Sequence, residues 1–80
     1  MFVACYFREI VDANADGGEL IGTGWTLQQC TSACFAQYPV CVAVDYDVAE
    51  QMCFLQTSLS GRQWNDCCNR YEISCSCTRR

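Results

Sequence analysis

One stretch of the chain alternates cleanly between apolar and polar positions, and one repeats at helical spacing. Along Cys41–Val48 (CVAVDYDV), Val42, Val44, Tyr46 and Val48 fall on one side, and Cys41, Ala43, Asp45 and Asp47 on the other. A period of two predicts a strand with one wet face, so Asp45 and Asp47, with Glu50, are expected in water. Phe2–Ile10 mixes aromatic and β-branched residues and predicts a first strand with Arg8 and Glu9 at its wetter end. Leu20–Trp25, interrupted by Gly22 and Gly24, predicts a short second one, and Met52–Gln56 and Tyr71–Cys75 supply two more. Turn formers crowd Asp12–Gly18 (DANADGG), which is expected to be an exposed loop. Ser58–Asp66 reads as a polar loop around Trp64.

The helical repeat runs through Leu27, Cys30, Cys34 and Tyr38, with Gln28 and Ser32 facing outward. Its start is marked by a capping box, in which the Thr26 hydroxyl accepts from the Gln29 amide and the Gln29 side chain reaches back. Pro39 ends the run by pushing the preceding residue out of the helical region. The expected fold class is α+β: a small disulfide-rich domain over residues 1–80, with one helix packed on an antiparallel sheet.

Composition narrows the chemistry. Eighty residues allow one domain with a modest core, and such domains usually need covalent or metal staples. There are nine cysteines and no histidine, which removes Ser/His/Asp and Cys/His catalysis and mixed Cys/His zinc sites. No Cys-x-x-Cys pair occurs, so neither a zinc cluster nor a redox-active dithiol is expected. An oxidising, secreted and extracellular setting fits nine cysteines better. Met1–Ile10 does not read as a signal peptide, so the leader that this setting requires is expected to lie outside the sequence. Five arginines, no lysine and nine acids (net −4) argue against nucleic acid and anionic membranes as partners. No apolar run approaches the roughly 20 residues of a membrane span.

Cys30 and Cys34 stand at i and i+4, on one face of the helix and poorly placed to bond each other. Each is therefore expected to bridge to a different strand, with Cys41 near enough to take Cys34 and Cys53 the natural partner of Cys30. The pattern Cys30-x3-Cys34-x6-Cys41-x-Ala43-x2-Tyr46-x6-Cys53-x-Leu55 resembles the core of the PAN/apple domain family. There, a helix with two cysteines precedes a C-x-A/G-x-x-Y/F strand and a C-x-L strand. The resemblance covers about Cys5 to Cys75 and implies bridges Cys30–Cys53, Cys34–Cys41 and Cys5–Cys75, with Cys77 as a rival to Cys75. On the loop-entropy account such bridges contribute ~3 kcal/mol for 30–53 and ~4 kcal/mol for 5–75, so full reduction is expected to unfold the domain. The resemblance also implies a non-catalytic module that binds a protein or a neutral glycan.

Cys67, Cys68 and Cys77 lie outside that pattern. Nine thiols cannot all pair within one chain, so one is free, capped or bonded to another molecule. One of the vicinal pair is expected to take Cys77, because a bond directly between Cys67 and Cys68 strains the intervening peptide. Trp25, Trp64 and Tyr71 are candidate ligand contacts, since aromatics concentrate at recognition sites. Asp12, Asn14 and Asp16, followed by Gly17, begin like a calcium loop, but Thr23 stands where the bidentate glutamate belongs. Calcium is expected to bind weakly if at all, and no other cofactor is expected. Arg79-Arg80 reads as a tail. Paired carboxylates on an exposed strand imply no catalytic pocket, so the chain is not expected to be an enzyme. Two functions follow: recognition of a protein or neutral glycan, or self-association into an extracellular oligomer or fibre. The second would use the odd cysteine or a terminal strand edge, as neither lysine nor a strand proline blunts those edges.

Overall fold

The computed structural model describes the backbone of residues 2–78 and the side chains of residues 4–76. The order of elements is β1 (Phe2–Ile10), β2 (Ala13–Ala15), β3 (Glu19–Thr23), α1 (Leu27–Ala36), β4 (Ala43–Asp47), β5 (Met52–Gln56), β6 (Arg62–Trp64) and β7 (Cys68–Thr78). Five strands make one antiparallel sheet in the order β1-β7-β4-β5-β3, and β2 pairs with β6 in a separate two-stranded sheet. No helix among the described residues is long and apolar enough to cross a membrane.

Helix α1 starts as the sequence dictates. Thr26 is its N-cap, with its hydroxyl accepting from the Gln29 amide at 3.1 Å and the Gln29 side chain accepting from the Thr26 amide at 2.9 Å. It stops at Ala36, capped by Gln37, so it ends before Tyr38. Tyr38 therefore leaves the buried stripe and is exposed, stacked on Phe35 instead. Only Cys30 and Cys34 of this helix are fully buried. They meet Val44 and Tyr46 of β4, Cys53 and Leu55 of β5, and Tyr71 and Ile73 of β7 in the core.

Three expectations are corrected on the opposite face of the sheet. Asp12–Gly18 is not simply an exposed loop, because β2 lies within it and Ala13 and Ala15 are buried. Ser58–Asp66 is not all loop, because β6 pairs with β2 in the register Ala13↔Trp64, Asn14↔Gln63, Ala15↔Arg62. The far face of β4 is not wet either, since Asp45 is 2% exposed beneath this second layer. Alternation placed Val44 and Tyr46 opposite Asp45 correctly. It could not report that both faces are covered. Cys41 precedes β4 and is buried against the helix, away from the wet side on which alternation placed it.

The small residues at 13 and 15 have a physical reason. Alanine lets the β2 backbone come down far enough for the Ala15 amide to donate to Asp45 at 3.0 Å. Strand β7 is also longer than Tyr71–Cys75, because two neighbours extend it: β4 along 68–72 and β1 along 70–78.

At the other edge, Gly22 sits at an irregularity in the β3–β5 ladder, directly under Trp25. A Cβ there would lie 2.1 Å from the indole nitrogen. Gly22→Ala is expected to displace Trp25 and cost about 1–3 kcal/mol, the usual range for overpacking. Chemical denaturation with the disulfides intact measures it, and an unchanged midpoint would contradict this packing.

Candidate functional site

The strongest polar constellation lies between the five-stranded sheet and the β2–β6 layer. Asp45 of β4 and Arg70 of β7 are paired strand neighbours and point to the same face. Both are buried, and Arg70 Nη1 donates to Asp45 Oδ1 at 3.1 Å. Asp45 Oδ2 also accepts from the Ala15 amide and, at 2.8 Å, from Gln56 Nε2. Gln56 Nε2 donates as well to the Ala15 carbonyl. Arg70 spends its other donors on Glu72 Oε2 at 2.9 Å and the Ser58 carbonyl at 3.1 Å. Two further guanidiniums reach Glu72 from the surface, Arg8 at 3.3 Å and Arg62 at 3.6 Å. All three arginines among the described residues thus converge on one carboxylate.

Electrostatics follow from this geometry. Burial pushes the Glu72 carboxyl up, but the hydrogen bond and charge of Arg70, aided by Arg62 and Arg8, outweigh it and hold the group below the ordinary 4.5. Its contribution to stability is therefore present above that value and is lost as pH falls through the lowered one. On the helix side, the Tyr71 hydroxyl donates to Glu9 Oε2 at 2.8 Å. Burial first, and then the hydrogen bond and negative charge of Glu9, push this phenol up to about 12 from 10.0.

Four cysteine pairs lie at bonding distance: Cys5–Cys75, Cys30–Cys53, Cys34–Cys41 and Cys67–Cys68. The last corrects the expectation that one of the vicinal cysteines takes Cys77. Cys67 and Cys68 stand at the turn leading into β7, where Cys68 is 4% exposed and the Asn65 side chain accepts from the Cys67 amide. That turn brings the two sulfurs together locally. Cys77 does not displace Cys75 as the partner of Cys5. Its own side chain, like the Arg79-Arg80 tail, lies outside the described residues.

The three aromatic candidates do not form one surface. Trp25 packs over Gly22 and gives its carbonyl to the Tyr46 hydroxyl, so it acts as part of the fold. Tyr71 is 9% exposed. Trp64 alone stands in solvent, at 75% exposure. Another aromatic group gathers instead at Phe7, Phe35 and Tyr38, with successive ring centroids 6.5 Å apart. It flanks a shallow groove of about 310 Å³ lined by Phe7, Thr31, Ser32, Phe35 and Ala36.

The calcium candidates are likewise spread out. Asn14 stands mid-strand in β2, where residues two apart are separated by roughly 6.5 Å, so Asp12, Asn14 and Asp16 do not wrap one point. The Asn14 amide nitrogen faces Cys67 Sγ at 3.9 Å, and Asp16 is exposed. Asp47, Cys67 and Cys68 bring ligand atoms within 4.8 Å of one another, but the sulfurs are spent on their own bond.

The ion cluster itself escaped sequence reading. Its one signal was the alternation of Arg70 and Glu72 with Tyr71 and Ile73, which puts both charges on the face opposite an apolar one. No protein-family model, curated protein or solved structure matches the chain.

Removing the cation at the centre leaves Asp45 buried and uncompensated. Arg70→Met is expected to cost about 3–5 kcal/mol in denaturant unfolding with the disulfides kept intact. A loss below about 1 kcal/mol, as surface pairs show, would contradict the geometry. Tyr71 gives a pH signature. The folded state holds this proton more tightly than the unfolded chain, so its contribution is full below pH 10 and disappears as pH rises to about 12. Absorbance titration is expected to show one phenol ionising late, and Tyr71→Phe to remove that step. A wild-type titration with no late phenol would refute the placement.

Proposed function

We propose that this chain is a secreted, non-catalytic recognition module of the PAN/apple type, binding a protein or a neutral glycan. The helix with its two cysteines, bridged separately to Cys53 and Cys41, supports the family reading. The observation that carries the functional reading is the position of the large aromatics. Disulfides fill much of the core, and Trp64, Phe35 and Tyr38 are left in water at 75%, 50% and 43% exposure. Rigid aromatic side chains on a stapled scaffold give contact area at little conformational cost, which suits binding. The strongest ionisable groups neutralise one another inside the fold instead of facing a cavity. That arrangement favours structure over catalysis.

Self-assembly is the second reading. It rests on the odd number of cysteines and on β1, which among the described residues has a paired strand on one side only. Sedimentation velocity over a range of concentrations, with non-reducing mass measurement, separates the two. A concentration-independent monomer with saturable binding to immobilised peptides or neutral oligosaccharides is the expected result. A covalent dimer that reductant dissolves, or a concentration-dependent ladder, transfers the function to assembly. A monomer that contacts neither class of probe contradicts both readings.

A further inference from the structure

Among the described residues, strand β1 ends the sheet with an open edge whose two flanks differ in chemistry. Ile73 of β7 donates its amide to Val42 on the β4 side, so its backbone groups turn away from β1. Phe7, the partner of Ile73, therefore turns its own N–H and C=O outward. The close approach of Cys5 and Cys75, 4.0 Å between Cα atoms, marks a non-hydrogen-bonded pair in the same phase. Cys5, Phe7 and Glu9 thus offer N–H and C=O groups to the free edge.

On the helix side of that edge lies the groove beside Phe7 and Phe35. On the other side lie Arg8 and Arg62, with side chains 62% and 46% exposed, each using only part of its donors on Glu72. Tyr6, two residues from Arg8 on the same face of β1, and Trp64, two from Arg62 on β6, add exposed rings. The chain is acidic overall, yet its described cations gather at this one place.

We propose that β1 takes up an extended peptide segment as a sixth strand, and that the segment alternates apolar and acidic residues. This rests on the reading of the chain as a binding module and names its partner. Main-chain hydrogen bonds to Cys5, Phe7 and Glu9 supply the pairing. The residue opposite Phe7 points to the helix side and fills the groove. The residue next to it points the other way and sets a carboxylate against the guanidiniums of Arg8 and Arg62. A second copy of β1 meets these demands poorly, since opposite Arg8 it offers Tyr6 or another Arg8. The other sheet edge, β3, is five residues long, irregular between Leu20 and Gly22, and carries no cation.

Amide chemical shifts, recorded while short capped peptides are titrated into the intact disulfide-bonded protein, test this. The probes alternate valine with glutamate, valine with lysine, and serine with glutamate. The valine–glutamate peptide is expected to saturate and to move the amides of Cys5, Phe7 and Glu9 most. The other two are expected to bind about tenfold more weakly or worse. Arg8→Gln combined with Arg62→Gln should weaken the valine–glutamate peptide about tenfold and remove its preference over the lysine one. Phe35→Ser, at a half-exposed helix position, should weaken it without changing that preference. Equal binding of the lysine peptide, or no saturation, overturns the proposal. Shifts centred on β3 or on Trp64 alone overturn this site while leaving the binding-module reading in place.

Discussion

Asp45 and Arg70 meet where water does not reach, and most of the architecture is arranged so that they can. Two charges taken out of water cost several kcal/mol each unless geometry and hydrogen bonds compensate. Here the compensation is complete and widely distributed. Asp45 accepts from Arg70, from the β2 backbone at Ala15 and from Gln56 on β5. Arg70 adds Glu72 and the Ser58 carbonyl, and Glu72 draws in Arg8 from β1 and Arg62 from β6. A single buried ion cluster thus touches β1, β2, β4, β5, β6 and β7. Through it a three-residue strand pair with little apolar area stays on the sheet.

The two faces of the sheet are held by different physics. Toward the helix, Cys30 and Cys34 reach Cys53 and Cys41, so that layer is fixed covalently, and its bridges act chiefly by restricting the unfolded chain. Toward β2 and β6, the links described are hydrogen bonds and ion pairs, which depend on pH and on every partner being present. Stability is therefore not uniform. The β2–β6 layer is expected to open first when the ion cluster is disturbed, before the helix side. The same division leaves aromatic residues outside, because disulfides and paired charges fill space that rings would otherwise occupy.

How much of this could be read from the chain depended on the range of the interaction. The Thr26–Gln29 capping box is local, and it appears where the residues put it. The alternation of Val44, Asp45 and Tyr46 correctly separated two faces, since side-chain direction in a strand is a local property. What covers the second face is not local. Ala13-Asn14-Ala15 has poor strand propensity and is a strand because β6 pairs with it and Asp45 and Gln56 offer further partners to its backbone. Asp45 looked wet for the same reason, as its cation lies 25 residues away on β7. The Cys67–Cys68 bond is not legible in spacing alone, because it sits in a turn where the Asn65 side chain accepts from the Cys67 amide.

The Asp45–Arg70–Glu72 cluster thus holds the β2–β6 layer to a sheet that the disulfides keep closed on its other side. Native-state amide hydrogen exchange on Asp45→Asn, with all disulfides intact, probes this division of the fold. Protection is expected to fall furthest at Ala15 and across β2 and β6, and by much less in α1, β4 and β5. Unchanged protection at Ala15, or an equal loss throughout the molecule, would contradict it.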